Sequence, residues 1–267
     1  MNIVIVTIDA GACASFKIIR DELVMRGHKV LSFLGEGQLL PENTYEQISM
    51  AIEKSDVLLL SVSAIPERSS IERHAFLEAQ RLAVRTAIFC DTYGMYYRAW
   101  FTDLTPFVDM LFVLDDGEAD RAQQYVGRQT TIFPSGNPYW AEFFKTTTNR
   151  EAIRQQLEVT PKEKVIMVVG NKEIERNELL YTDLVSATNN LGGDICLVLT
   201  VHPGINHTME VYDKILKQSV HKIQIVEKSL SPLEIINASD VIVTSGCSSV
   251  GIMAVCQRKP VVDLMHS

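Results

Sequence analysis

The chain has 267 residues, 46% of them hydrophobic, and a formal charge of -8. That length suits two α/β domains with buried cores, and the acidity, with no Lys/Arg cluster against it, excludes a nucleic-acid binder that works through bulk basicity. Five scattered cysteines, Cys13, Cys90, Cys196, Cys247 and Cys256, form no CxxC pair; this excludes a disulfide framework and a cysteine zinc site and fits a reducing cytoplasm.

The start, MNIVIVTIDAG, is apolar but too short to span a bilayer and lacks the basic residues of a secretory leader, so it reads as a first strand over residues 2–8. Asp9 to Ala12 reads as a turn, in which Asp9 is either a turn-former or a polar group facing a cleft. A helix is predicted over 15–26 and a second strand over 29–34, which makes a βαβ unit with a parallel sheet in prospect. The first turn holds Gly11 but no G-x-G-x-x-G, which argues against a nicotinamide or flavin enzyme. A helix over 45–54, a strand over 56–63 and a helix over 71–83 follow. The strand over 85–90 ends in Asp91-Thr92-Tyr93-Gly94-Met95-Tyr96-Tyr97-Arg98. Aromatic faces stack on sugar rings, and Asp91 and Arg98 hydrogen-bond hydroxyls or phosphate; the same tyrosines would equally cover a sheet edge. After the strand over 109–114, Asp115-Asp116-Gly117-Glu118 leads into a helix ending near Val126-Gly127, and the run suits either a metal or general base, or a helix cap that complements the dipole. Thr130 to Phe133 is a sixth strand, and Pro134 to Pro138 interrupts the alternation, which places a boundary between residues 1–137 and 138–267.

The second half repeats the design. Helical stretches over 140–144 and 149–157 lead to a strand over 165–169, whose following loop opens with Gly170-Asn171. A helix over 178–190, a strand over 195–201 ending in His202-Pro203-Gly204, a helix over 209–218, a strand over 222–226 and a short helix over 232–237 lead to Asp240 to Leu264. There, strand (241–244), small polar turn (Ser245-Gly246-Cys247-Ser248-Ser249), helix and strand succeed one another. Glycine lets backbone approach a ligand, and a serine cap sits beside free helix N–H groups, the arrangement that binds phosphate. An ordinary capped βα loop would look the same. Strand-to-helix loops of a parallel sheet share one edge, so Gly170, His202 and Ser245 are expected at one cleft, opposite loops at Asp9, Ser63 and Asp91. The fold class is thus α/β, two Rossmann-like domains whose parallel sheets face across a cleft. His202 would donate to a phosphate or act as acid or base, or else be a structural histidine.

Gly136-Asn137-Pro138, Val201-His202-Pro203 and Thr244 to Pro260 resemble the GT-B glycosyltransferase superfamily, which includes the UDP-N-acetylglucosamine 2-epimerases. The resemblance implies a nucleotide-sugar co-substrate; the sequence shows no metal motif of the usual ligand spacing, and neither a metal nor a further cofactor is expected. It also implies that Ser245, Gly246, Ser248 and Ser249 take phosphate oxygens with His202 beside them, and that the loops at Gly11 and Asp91 meet the acceptor; Gly170, Asn171 and Gly204, in loops expected on the same edge, are further phosphate candidates, and Tyr93 and Arg98 further acceptor-side candidates. Asp9, Asp91, Asp116 and His202 are the acid–base candidates. The family glutamate that bonds ribose hydroxyls is Met253 here, and a thioether cannot accept two strong hydrogen bonds from a diol. A chain that stops at Ser267 is short for this family, so a homo-oligomer would be one way to cover the last sheet edge.

The reading is a cytoplasmic enzyme, with peripheral membrane contact allowed, that moves sugar from a nucleotide sugar to a glycan or lipid-linked acceptor hydroxyl in cell-surface glycan or polysaccharide synthesis. Alternatives are a 2-epimerase-like enzyme, a truncated binding protein of the same fold, and a sialyltransferase-like enzyme using a CMP-sugar. The last resembles the order Asp115-Asp116-Gly117, His202-Pro203, Ser248-Ser249.

Overall fold

A computed structural model describes residues 1–63, 65–145, 149–171, 173–202, 208–226, 229–245 and 248–264. The chain divides into two compact units, Met1–Tyr139 and Trp140–Ser267.

In the first unit the elements run β1 (Asn2–Thr7), α1 (Ala10–Met25), β2 (Lys29–Leu34), α2 (Thr44–Ile52), β3 (Val57–Leu60), α3 (Ser70–Arg81) and β4 (Arg85–Phe89). After these come β5 (Met110–Val113), α4 (Asp116–Ala122) and β6 (Thr131–Pro134). Among the described residues the strands form one parallel sheet in the order β2-β1-β3-β4-β5-β6. Strand periodicity sorts its side chains between two cores. Val4, Val6, Leu58, Leu60, Ile88 and Leu111 pack on one face, and Ile3, Ile5, Leu59, Ala87 and Phe89 on the other. Burial on both faces explains why these strands read as continuous apolar runs.

Helix α5 (Pro138–Glu142) carries the chain into the second unit, which continues as α6 (Arg150–Gln156), β7 (Lys164–Val169), α7 (Ile174–Asn189), β8 (Ile195–Thr200), α8 (Asp213–Leu216) and β9 (Lys222–Val226). It ends with α9 (Pro232–Ala238), β10 (Val241–Thr244), α10 (Ser249–Cys256) and β11 (Val261–Asp263). The sheet order is β11-β10-β7-β8-β9, again parallel. The same parity separates Val165, Met167, Cys196 and Val198 from Val168, Leu197 and Leu199. Met253 packs against the first of these cores.

Three boundaries differ from the sequence expectation. Helix α1 starts at Ala10, because Ala10, Ala12 and Ala14 are the strongest helix formers and carry the helix up to its N-cap residue Asp9. Helix α4 stops at Ala122, which lets the consecutive Tyr125 and Val126 both pack on the core, something one helix face could not allow. The helix expected over 209–218 opens as a single 3-10 turn, Met209–Tyr212, whose buried Met209 and Tyr212 are three apart and so share its face.

The amino-terminal edge of the second sheet is held by cations. Arg150 and Lys259 donate to the carbonyls of Asn237 and Ser239, and Arg154 donates to those of Ala238, Thr160 and Glu163. They gather at the C-terminus of α9, where unsatisfied carbonyls and the dipole favour positive charge. Lys259 of the Lys-Pro pair therefore has a local structural task.

Candidate functional site

In the first unit the strand order reverses between β1 and β3, and open parallel sheets bind ligands outside the carboxyl ends of strands at such a point. Pairing of the two strands ends at Val6 and Leu60. Just beyond, the carboxylate of Glu72, fully buried on α3, sits between the separating ends. One oxygen accepts from the Ile8 N–H (2.9 Å) and the Thr7 hydroxyl (3.2 Å), the other from the Ser63 N–H (2.7 Å) and the Ser69 hydroxyl (3.2 Å).

Asp91 follows β4 on the same edge and is 5% exposed. Its Oδ2 lies so close to the first turn of α1 that a Cβ on Gly11 would come within 2.8 Å of it. Its Oδ1 is buried without a hydrogen-bond partner among the described residues. Burial, followed by the charge of Asp9, pushes the Asp91 carboxyl up to about 6, against the opposing pull of Arg98 and the Ser61 hydroxyl. Asp9 itself is the N-cap residue of α1 by backbone position, although its side chain makes no capping bond. Asn137 fixes the backbone here. Its Nδ2 donates to the Asp91 carbonyl (3.1 Å), while its Oδ1 accepts from Ser15 (2.8 Å) and from the Tyr139 N–H (2.9 Å). A buried carboxyl that titrates near neutrality at a ligand-binding edge is suited to accept or donate a proton.

Burial also raises Glu72, from 4.5 to about 7, although its four donors favour the charged form. Raised carboxyls favour the fold while they are protonated, so their contribution is full below the ordinary carboxylate range and is lost as pH rises through about 6 for Asp91 and about 7 for Glu72. Urea unfolding at a series of pH values is expected to show stability declining between roughly pH 4 and 7.

Arg98 straps the loop after β4 to the end of β3, donating to the Val62 carbonyl and to the Thr92 hydroxyl. Gly94 takes a left-handed φ of 70°, and its N–H is held by the buried Glu118 carboxylate at 2.7 Å. Glu118 also accepts from the Tyr96 hydroxyl and from Arg121. Asp115 caps α4 by accepting from the Glu118 N–H (2.8 Å), and it raises the exposed Tyr93 hydroxyl after burial does so. Of the Asp-Asp-Gly-Glu run, two carboxylates therefore support structure, and Asp116 is exposed in the first turn of α4. No group of three or more His, Cys, Asp or Glu able to hold a metal occurs among the described residues.

In the second unit the order reverses between β7 and β10. Gly170, after β7, donates its N–H to the Thr200 carbonyl (3.0 Å), and a Cβ there would lie 2.7 Å from that oxygen, so the close approach to β8 needs glycine. The backbone of Asn171 is gripped by Asn177 of α7, which accepts its N–H (2.7 Å) and donates to its carbonyl (2.9 Å). The Asn171 Nδ2 is left buried without a partner among the described residues. Ser245 is buried at the end of β10. Ser248 caps α10, accepting from the Val250 N–H at 3.2 Å, and Ser249 is exposed in its first turn. His202 is half-buried just past β8. Gly204 and Gly246 lie outside the described residues.

No protein-family model matches the chain, and no curated protein does so. Solved structures do. Staphylococcus aureus MnaA with UDP superposes with a TM-score of 0.68 at 13% identity, over 97% of this chain and 78% of that one. The chain has the GT-B fold. HepE of Anabaena in complex with UDP-glucose gives a TM-score of 0.64 at 11% identity (98% and 80% covered). UDP-N-acetylglucosamine 2-epimerase of Neisseria meningitidis bound to UDP-N-acetylglucosamine gives 0.58 at 14% (98% and 81%). In a GT-B chain the two strand-order reversals described above are the places to look for ligand chemistry. Sequence reasoning missed Glu72 and Ser61 as parts of the first of them. No helix among the described residues is long and apolar enough to cross a membrane.

Proposed function

We propose that this GT-B chain is a nucleotide-sugar-using enzyme that transfers the sugar to an acceptor hydroxyl, with Asp91 as the base. The observation that carries the reading is the buried Asp91 carboxyl, raised to about 6 and placed against the Gly11 backbone at a strand-order reversal. At neutral pH it is mostly ionised yet a strong enough base to take a hydroxyl proton as the bond to the sugar forms. Asp9 keeps its proton affinity high and Arg98 limits that rise. In the second unit, Ser248 and the first N–H groups of α10 take the phosphate oxygens, where the helix end stabilises charge on the departing nucleotide. Asn171, in the loop after the neighbouring strand β7, offers its side-chain Nδ2, which has no partner among the described residues, on the same sheet edge. The UDP and UDP-sugars held by the neighbours support this choice of donor. Met253 is occupied in the core, so ribose recognition falls to other residues.

A glycan or lipid-linked acceptor, a role in cell-surface polysaccharide synthesis, a cytoplasmic location and a homo-oligomer belong to the same proposal. The second reading is 2-epimerisation of the bound sugar, favoured by the epimerase neighbour with UDP-N-acetylglucosamine. Isothermal titration with UDP, UDP-N-acetylglucosamine and CMP tests the donor. The UDP ligands are expected to bind, and Ser248→Ala with Ser249→Ala, or His202→Ala, is expected to weaken them about tenfold or more, the cost of one or two charge-assisted bonds. A preference for CMP would support the CMP-sugar alternative. Folded protein that binds none of the three refutes nucleotide-sugar use. Proton NMR of UDP-N-acetylglucosamine incubated with the protein separates inversion at C2 from release of UDP.

A further inference from the structure

We propose that Glu72 is a positioning residue for Asp91, a clamp at the parting of β1 and β3 that sets the width of the cradle around the Asp91 carboxyl. The two sides of that cradle come from different strands. Gly11 belongs to the helix that begins three residues after β1 ends, and its backbone faces Asp91 Oδ2. Ser61 directly follows β3, and its hydroxyl acts on the Asp91 carboxyl. Between them, direct strand pairing has already ended. What joins the two sides is the Glu72 carboxylate, one oxygen on the Ile8 N–H and the other on the Ser63 N–H. The charged groups that act on Asp91 are Asp9, next to Ile8, and Arg98, which grips the Val62 carbonyl next to Ser63. Both therefore hang on segments that Glu72 ties.

A carboxylate suits this place because both of its oxygens accept, and a protonated one can still accept both N–H bonds while its proton goes to the Thr7 or Ser69 hydroxyl. Glutamine cannot do so. In either orientation its NH₂ faces a backbone N–H, donor against donor, and one strand end is released. The cradle then opens, water reaches Asp91, and the desolvation that raises it is relieved.

The functional meaning of the clamp rests on the reading of Asp91 as the base, but its test does not. The pH titration of the Asp91 side-chain carboxyl carbon, followed by NMR in the full chain, is compared between wild type, Glu72→Gln and Ser69→Ala. In Glu72→Gln the Asp91 midpoint is expected to fall from about 6 toward the ordinary 3.8. In Ser69→Ala, which keeps both backbone bonds, it is expected to stay. A folded Glu72→Gln protein with Asp91 unmoved overturns the proposal, because a merely structural glutamate would cost stability without moving that midpoint. Should Glu72→Gln fail to fold, Glu72→Asp decides, because the shorter carboxylate cannot reach both the Ile8 and the Ser63 N–H. It is expected to lower the Asp91 midpoint, and a folded Glu72→Asp protein with Asp91 unmoved overturns the clamp. Turnover that survives loss of Asp91 while the midpoint shift is seen would instead refute the base and leave the clamp standing.

Discussion

Asp91→Asn is expected to lower turnover of the nucleotide sugar by about 10²–10⁴-fold, the usual worth of a general base, while leaving UDP affinity within about twofold. The amide keeps the shape of the side chain and removes only its ability to carry the proton. Stability should not suffer at pH 7, since ionising a carboxyl raised to about 6 in the fold works against folding, and an amide has no such cost. Wild-type turnover is expected to rise with pH through about 6, because a base works only when ionised, and that limb should vanish in Asp91→Asn. Gly11→Ala tests the same geometry from the other side. Alanine is the better helix former, but its methyl would lie 2.8 Å from Asp91 Oδ2, so the carboxyl must move and turnover should fall without unfolding of α1. UDP release from UDP-sugar in the presence of acceptor, or solvent exchange at C2 if the enzyme epimerises, is the measurement. Full activity in Asp91→Asn would remove Asp91 from the chemistry.

The strands were legible because both faces of each sheet are buried, which forces continuous apolar runs with helices between them. Ser248 was legible as a cap for the same local reason, since a serine ahead of a helical run satisfies free N–H groups within two residues of itself. Asp91 could be chosen as a polar residue ending a strand, but its burial and its contact with Gly11 depend on residues far apart in sequence. The Asp115 run admitted two readings, and Arg121 and Gly94 settle the role of Glu118. Glu72 carried a signal that went unread. With Ala75, Phe76 and Ala79 it falls on the apolar stripe of α3, where a carboxylate needs donors waiting for it. Nothing local says that those donors are the ends of two strands. Asn137 is similar, because its grip on the Asp91 carbonyl spans 46 positions.

Arg154→Ala is expected to destabilise the second unit by about 3–5 kcal/mol, the range for removing one partner of a buried charged network. Arg154 is 8% exposed and donates to three carbonyls, with a guanidinium nitrogen 3.5 Å from Asp240. Asp240 in turn accepts from the Val165 N–H at the start of β7 and pairs with Arg150. Burial works against the Asp240 charge, yet that N–H and the two arginines outweigh it and hold the carboxyl below its ordinary value. Truncating Arg154 removes the buried charged donor from the carbonyls of Ala238, Thr160 and Glu163 and takes one of two arginines from Asp240, whereas Arg150, with 30% of its side chain exposed, can be replaced in part by water. Arg150→Ala should therefore cost less, about 1–2 kcal/mol. The two tryptophans, Trp100 in the first unit and Trp140 in the second, allow each unit to be followed by fluorescence during urea unfolding in Trp140→Phe and Trp100→Phe backgrounds. In Arg154→Ala the Trp140 transition should move to lower urea ahead of the Trp100 transition. An unmoved Trp140 transition would mean that the cations at α9 contribute little net stability, as happens when desolvation offsets pairing.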